Sequence, residues 1–329
     1  MSELMKAWQV SQPGGLDCLE WIDLARPVPA DNQCLVKVEA AALNFSDVLM
    51  IGGKYQIKPP LPFTPGQEIS GTIINPGANS KYQVGQKIAT KVVWGAFAEY
   101  SLAEDNMIIP LTDEVSLKYA VALPVVYTTA HIALFHRAKL RAGETVLVHA
   151  GAGGVGLAAI QLAKSFNATV IATVGNLAKS ELLKQNGADL VLDYSTENWV
   201  EEVIAFTDGK GADVIVDPVG GEVAEKSLNC IAWEGRHLVI GFAAGTVPKF
   251  PGHKLLLKNA SAVGVYWSHE NDGPLVAECA DELVTMLKDG KINPVIDTQF
   301  RLDQLPDALD ALAGRRTSGK VVLSVSGDE

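Results

Sequence analysis

A glycine-rich turn between a strand and a helix constrains this chain more than any other feature. Thr145 to Ala150 (TVLVHA) reads as a strand and Val155 to Phe166 (VGLAAIQLAKSF) as a buried helix. Between them runs His149-Ala150-Gly151-Ala152-Gly153-Gly154-Val155-Gly156, with G-x-G-x-x-G at Gly151, Gly153 and Gly156. The bare pattern is weak, but after a strand and opening a helix it has the context of a dinucleotide-binding turn. Gly151 is expected to permit the tight turn, Gly153 to let the backbone approach a pyrophosphate, and Gly156 to let helix and strand pack closely. The helix start offers free N–H groups and a positive dipole end to the phosphates, with Ala152, Gly154 and Val155 completing the cradle. The bland reading is an ordinary glycine-rich βα turn, and the βα units that follow weigh against it.

Those units are regular. Strands are expected at Thr169–Val174, Leu190–Asp193, Asp213–Asp217, His237–Ile240 and Ala260–Tyr266, with a helix over Lys179–Asn186. Repeated βα units predict a parallel, doubly wound sheet with right-handed crossovers. The first third has another texture. Cys34–Ala42 and Glu68–Ile74 read as strands, and Pro59-Pro60, Pro62 and Pro65-Gly66 punctuate the rest, as in an irregular β domain. In the tail, Leu275–Lys288 fits an amphipathic helix and Val321–Val325 a last strand. The expected division is 1–124 for a first domain, 125–267 for the nucleotide domain, and 268–329 returning to the first.

The end of the second strand bears on which dinucleotide is bound. A chain that holds the ribose hydroxyl of NAD usually has Asp or Glu there. Here the place reads Val174-Gly175-Asn176, followed by Lys179, and Tyr194 ends the third strand. Without a carboxylate nothing repels a 2′-phosphate, for which Lys179 supplies a point charge and Tyr194 a phenolic donor. The other reading of Lys179 is a solvated helix residue. NADPH is the expected cofactor, held in part by Asn176, Lys179 and Tyr194.

Charge and cysteine usage narrow the partners. The net charge of -11 disfavours a nucleic-acid backbone. No apolar run in the sequence stands out as long enough to cross a membrane, so no membrane partner is expected. Cys18, Cys34, Cys230 and Cys279 are scattered, with no C-x-x-C pair, which fits free thiols in a cytoplasmic protein. The opening MSELMKAWQV lacks the apolar core of a signal peptide.

The chain resembles the medium-chain dehydrogenase/reductase superfamily, and within it the zinc-free, zeta-crystallin-like NADPH:quinone oxidoreductases. The resemblance rests on Ala41-Ala42-Leu43-Asn44-Phe45-Ser46-Asp47, Gly52 to Tyr55, Pro65-Gly66-Gln67-Glu68, Gly71, the glycine loop, Asp217-Pro218-Val219-Gly220-Gly221, and Gly319-Lys320-Val321-Val322. It implies an α/β protein: a GroES-like, β-rich catalytic domain made of both chain segments, plus a Rossmann domain between them. It also implies a homodimer joined at the edges of the two nucleotide-binding sheets, here near Ala260–Tyr266. Zinc relatives carry a ligand Cys where this chain has Asn44, and a ligand His where it has Gln67. Neutral amides replace thiolate and imidazole poorly at zinc, so no metal is expected. Glu68 then reads as a structural, hydrogen-bonded acid.

Without a metal to polarise a carbonyl, the acceptor must need less help. Quinones and α,β-unsaturated carbonyls qualify, because conjugation spreads the charge that hydride brings. By resemblance, Asn44, Tyr55 and Gln67 face the space beside the nicotinamide as candidate catalytic residues. Tyr55 either donates a proton or hydrogen bond to the acceptor or forms an apolar wall of the pocket. Phe45 and Thr129 are expected near the nicotinamide and its ribose, Val219 beside the cofactor, and Gly241, Phe242 and Ala243 at the nicotinamide through backbone groups. Arg315 reaches a cofactor phosphate or is a surface arginine beside Arg316. His149 reads as a half-buried strand residue, and no histidine is assigned to chemistry. Two other readings stand beside quinone reduction: an enoyl or 2-alkenal reductase on the same fold, and an NADPH-binding structural or regulatory protein with little turnover.

Overall fold

The computed structural model describes residues 3–325, apart from the side chains of residues 298 and 299. The chain divides into two compact units. One comprises the segment ending at Val125, Asp272–Lys288 and the segment from Pro294; the other comprises Val126–Asn271 and Asp289–Asn293.

The first unit is built on a seven-stranded sheet. Gln33–Ala42 is its hub, antiparallel to Glu68–Pro76, to Tyr100–Glu104 and to Lys320–Ser324. Glu68–Pro76 pairs in turn with Lys87–Lys91, which pairs with Ile108–Pro110. Ile296–Arg301 lies parallel to Lys320–Ser324 at the other edge. The strands are short and rich in β-branched residues that pack well on a pleated surface. Their inner faces bury Val36, Val38, Ile69, Ile73 and Ile88 with Phe97, against Leu305 and Leu309 of the helix Leu305–Ala313. A separate antiparallel hairpin, Leu4–Val10 with Leu19–Ala25, adds Trp8 and Val10 to that core. Lys320 is delivered to the Asn44 loop by this sheet: Leu43 N–H donates to Val321 O at 2.9 Å, and Val322 pairs with Ala42.

The second unit holds a six-stranded, all-parallel sheet. Its order is Leu190–Asp193, Thr169–Val174, Thr145–Val148, Ala212–Asp217, Ile231–Val239, Ser261–Gly264. That is the 3-2-1-4-5-6 order of a dinucleotide-binding sheet, with its switch point between the first and fourth strands. Such strands are covered on both faces and read as continuous apolar runs. Val146, Leu147, Val148, Val170, Ile171, Val214, Ile215 and Val216 are fully buried. Asp289–Asn293 joins this unit through Gln161, whose side chain donates to Asn293 O at 2.7 Å and accepts from Asn293 N–H at 2.8 Å.

Several local expectations change. The first nucleotide strand ends at Val148, two residues early, because Ala150 takes a left-handed φ of 49° and starts the turn. His149 is fully buried rather than half-buried. The fifth strand begins at Ile231, well before His237. Glu234, at φ 58°, and Gly235 interrupt its alternation and hide its first half from a period-two reading. Finally, the helical run Leu117–Arg137 is long and apolar enough to cross a membrane, contrary to the sequence reading. It is 78% buried inside the protein over its most apolar stretch, as the core helix of a globular protein is.

Candidate active site

In the first unit Asn44 ends the hub strand's loop and is the N-cap of the helix Phe45–Ile51. The Asp47 carboxylate turns back to accept the Asn44 backbone N–H at 2.7 Å, which satisfies one of the donors that a helix start leaves open. The Asn44 side chain points elsewhere. Its Oδ1 accepts from Lys320 Nζ at 2.6 Å, and its Nδ2 donates to Glu68 Oε2 at 3.1 Å. Lys320 Nζ is also 2.5 Å from Glu68 Oε2. The other oxygen, Glu68 Oε1, accepts the Val125 backbone N–H at 2.8 Å, where a π-helical stretch, Leu123–Tyr127, departs from regular α-helix. Glu68 is therefore a hydrogen-bonded, fully buried acid, and it is paired with a lysine that is only 3% exposed. The N–H and ammonium donors around Glu68 offset the large cost of burying a carboxylate.

Asp47 is also fully buried, and its Oδ1 has no hydrogen-bond partner among the described residues. Burial pushes its carboxyl up to about 7; the Asn44 N–H and the Lys320 charge pull it back, and Glu68 adds to the rise. Lys91 lies opposite Glu68 in the strand register, and burial lowers its ammonium, partly offset by Glu68.

Gln67 is buried, and its Oε1 accepts a hydrogen bond from the Ser46 hydroxyl. Gly66, at φ 98°, sets it there: a Cβ at Gly66 would lie 2.7 Å from Ala96 and 2.8 Å from the Phe97 ring. Tyr55 is half-buried and packs on the sheet core; Phe45 is 45% exposed at the head of its helix. Asn44, Gln67 and Phe45 thus gather around the Asn44–Asp47 turn. Arg315 is exposed in a left-handed turn after the helix Leu305–Ala313.

In the second unit the glycine loop forms as its context predicts, with one change of roles. The left-handed residue of the turn is Ala150. Gly151 serves clearance instead: a Cβ there would lie 2.7 Å from Leu183 Cδ2 and 3.1 Å from Ala172 Cβ. Gly156 carries the close packing, since its Cβ would fall 2.3 Å from Ala150 O and 2.8 Å from the Gly151 Cα. Ala152 is buried. Gly153, the N-cap, is exposed, and Gly154 and Val155 are half-exposed. The first backbone bond of the helix runs from Leu157 N–H to Gly153 O, so the N–H groups of Gly154, Val155 and Gly156 are the open donors of the helix start.

The second and third strands bring the other cofactor candidates together. Tyr194 N–H donates to Val174 O at 3.1 Å. Its ring covers Gly175 closely enough that a Cβ there would lie 2.9 Å from the hydroxyl. Asn176 starts the turn Leu177–Lys179, its Oδ1 accepting from Ala178 N–H at 2.9 Å, and Lys179 is half-buried at the end of that turn. After the fourth strand, Asp217 Oδ1 accepts the N–H groups of Val219 at 2.8 Å and Gly220 at 2.9 Å. Ala243 N–H donates to Pro218 O, which joins the Gly241-Phe242-Ala243 segment to Val219. Thr129 Oγ1 accepts from Trp267 Nε1 at 3.1 Å.

Two buried histidines support these turns. His149 Nε2 lies 2.7 Å from Ser227 Oγ, and its Nδ1 lies 2.8 Å from Thr173 Oγ1. Ser227 gives its proton to Val223 O, so Nε2 must be the donor and Nδ1 accepts from Thr173. Burial drives the imidazole down to about 4, so it is neutral. His237 Nε2 is 3.0 Å from Asp217 Oδ2. Burial pushes the Asp217 carboxyl up, but the His237 hydrogen bond, the neighbouring His149 and His237 imidazoles and the Gly220 N–H together hold it below the ordinary carboxylate range.

Sequence reasoning passed over Lys320 as a site residue, although it stands in the quoted Gly319-Lys320-Val321-Val322. The available signal was a lysine opening the otherwise apolar strand KVVLS. Asp47 and Ser46, likewise inside a quoted segment, were given no role.

Residues 154–282 match the zinc-binding dehydrogenase family, and residues 30–113 match the alcohol dehydrogenase GroES-like domain. The chain is 38% identical over 304 residues to quinone oxidoreductase-like protein 2 of Mus musculus, covering 91% of this chain and 87% of that one. It is 32% identical over 325 residues to the quinone oxidoreductase of Homo sapiens, covering 98% of each. Among solved structures, mycobacterial Rv1454c complexed with NADPH superposes with a TM-score of 0.89 at 32% identity, over 98% of this chain and 100% of that one. The chain belongs to the quinone oxidoreductase family of the medium-chain dehydrogenases/reductases.

Proposed function

We propose that this protein is a zinc-independent, NADPH-dependent quinone oxidoreductase. The observation that carries the reading is the glycine-rich helix start at Gly153–Gly156, exposed at Gly153, beside a second strand that ends in Val174-Gly175-Asn176 with no carboxylate. When bound, NADPH supplies the hydride. The N–H groups of Gly154, Val155 and Gly156 hold the pyrophosphate, and Asn176, Lys179 and Tyr194 hold the 2′-phosphate. Within the same unit, Val219, the Gly241–Ala243 backbone and Thr129 are assigned to the nicotinamide end. A relative solved with NADPH and relatives named quinone oxidoreductases support both cofactor and acceptor.

The residues around Asn44 do not fit zinc. Asn44 Oδ1 and Glu68 Oε2 are both given to the Lys320 ammonium, and Gln67 Oε1 to Ser46. A fixed cation among these oxygens repels a divalent one, and amides are poor zinc ligands. Stabilisation of the charge that develops on the acceptor oxygen falls to neutral donors: the Asn44 amide and the Tyr55 hydroxyl. Tyr55→Phe then lowers kcat; unchanged kinetics would leave Tyr55 as a wall of the pocket.

For the assembly we propose a homodimer through the open edge of Ser261–Gly264, the last strand of its sheet. Tyr266, Leu256 and Leu257 nearby in sequence are 77%, 78% and 72% exposed, more apolar surface than a solvated edge needs. Sedimentation as a monomer would remove that reading. Four free cysteines, three of them buried, support a reducing, cytoplasmic setting.

An acceptor screen with NADPH and NADH side by side, with and without a chelator, tests the central reading. NADPH oxidation by quinones that survives chelation is expected. Preference for 2-alkenals over quinones would make the protein an enoyl reductase. Preference for NADH would overturn the assignment of Asn176, Lys179 and Tyr194, and loss on chelation with return on zinc would overturn the metal-free chemistry. Tight NADPH binding without oxidation by any acceptor would mark a low-turnover binding protein.

A further inference from the structure

The carboxamide of Asn44 has an orientation that its neighbours dictate. Lysine can only donate, so the group facing Lys320 Nζ at 2.6 Å is the amide oxygen. Glu68 Oε2 faces the Lys320 ammonium as an acceptor, so the amide group facing it at 3.1 Å is the NH2. The ion pair of Lys320 and Glu68 at 2.5 Å thus clamps the amide from both ends. Among the described residues the second Nδ2–H has no acceptor, and Asn44 is half-buried, so this donor remains for a ligand. We propose that Lys320 is a positioning residue: its ammonium fixes the Asn44 carboxamide in the one orientation that presents an N–H to the carbonyl oxygen of the acceptor. The proposal rests on the reading above that Asn44 contacts the acceptor.

The physical case has two parts. The ammonium polarises the amide through its oxygen and strengthens the opposite N–H as a donor, as hydrogen bonds in series do in a low-dielectric interior. It also ties the amide oxygen to the same cation that Glu68 Oε2 holds, so that one group fixes both ends of the carboxamide. If the ammonium is removed, nothing among the described residues holds the amide oxygen, the carboxamide can rotate about its Cβ–Cγ bond, and the fixed orientation is lost. Lys91 and Asp47 also bear electrostatically on Glu68. Asp47 spends its Oδ2 on the Asn44 backbone N–H and not on the carboxamide, so it does not substitute for Lys320 in this role.

A kinetic cycle over Lys320 and Asn44 tests this. K320M is expected to lower kcat with a quinone roughly tenfold to a hundredfold, below the loss seen when a donor to a developing oxyanion is deleted outright. KM for NADPH, and NADPH affinity by fluorescence, should stay within about twofold. N44A should lower kcat at least as far. In the N44A background K320M should change kcat by less than about twofold, because the two residues act as one unit. A lysine that only supports the fold would lower kcat in both backgrounds alike, and that result overturns the proposal. Normal kcat in K320M beside a damaged N44A also overturns it while leaving the acceptor reading intact. Normal kcat in N44A defeats the acceptor reading and the positioning role together. If K320M does not fold, K320M/E68Q removes both charges and carries the same cycle.

Discussion

The two units hold their functional turns in place by different physics. Around Asn44 the frame is ionic: a lysine and a glutamate are almost fully buried as a pair, with a second carboxyl, Asp47, buried beside them. Around the glycine loop the frame is close backbone packing and a neutral imidazole, with Gly156 seated against Ala150 O and His149 bonded to Thr173 and Ser227. The only buried acid there among the described residues, Asp217, spends its oxygens on two backbone N–H groups and His237. A site that grips a fixed, highly charged ligand through its main chain needs a rigid mould. A site that must meet charge as it forms needs oriented dipoles, and buried ions are a strong means of orienting them.

The sharpest way to break this contrast is to unpair the ions. K320M leaves Glu68 buried without its cation and should cost about 3–5 kcal/mol in denaturant unfolding. K320M/E68Q should recover most of that loss. If K320M costs under about 1 kcal/mol, the frame around Asn44 is not ionic.

Next in size is the response to pH, where the two frames should have opposite signs. Folded Asp47 keeps a proton up to about 7 that the unfolded chain releases near 4, so its contribution is full in acid and is lost as pH rises through 7. Folded His149 refuses a proton down to about 4 that the unfolded chain takes up near 6.5, so stability falls as pH drops through that window. Asp47→Asn should therefore gain on the parent protein as pH rises from 4 to 7. His149→Gln should gain as pH falls over the same range, each by up to ~1.4 kcal/mol per pH unit. Parallel slopes would erase the distinction.

Packing in the nucleotide unit is tested by Gly156→Ala, which meets a main-chain oxygen and should cost about 1–3 kcal/mol. Gly153→Ala meets only Ala150 O at 3.3 Å and should leave the melting temperature nearly unchanged while weakening NADPH. The smallest effect belongs to Ser46→Ala, which removes one neutral hydrogen bond to Gln67 and should cost about 1 kcal/mol. A much larger loss would mean that neutral bonds carry more of this frame than the ions do.

What could be read from the sequence follows the range of the interactions. The glycine loop and the strands at 169–174, 190–193 and 213–217 are legible because periodicity and glycine spacing are local. Asn44 and Gln67 are legible only through resemblance, and their partners were not legible at all. Lys320 meets Asn44 across 276 residues, and no pattern within a window of ordinary width can announce that. The left-handed Ala150 escaped for another reason: glycine marks where positive φ is easy, and here an alanine takes it while Gly151 makes room for Leu183. The π-helical stretch at Leu123–Tyr127 has no compositional mark beyond Pro124, although it surrounds the N–H that Glu68 receives.

The strand Lys320–Ser324 has a consequence for how the molecule comes into being. The whole nucleotide unit is synthesised between Glu68 and the lysine that neutralises it, so the parallel sheet can form while the other sheet still lacks its closing strand. Until that strand arrives, Glu68 has every reason to stay hydrated, and the Asn44 carboxamide lacks the ammonium that orients it. Closing so long a loop costs entropy and time. The slowest phase of refolding should therefore be the one in which turnover appears, after the nucleotide unit can already quench or enhance NADPH fluorescence.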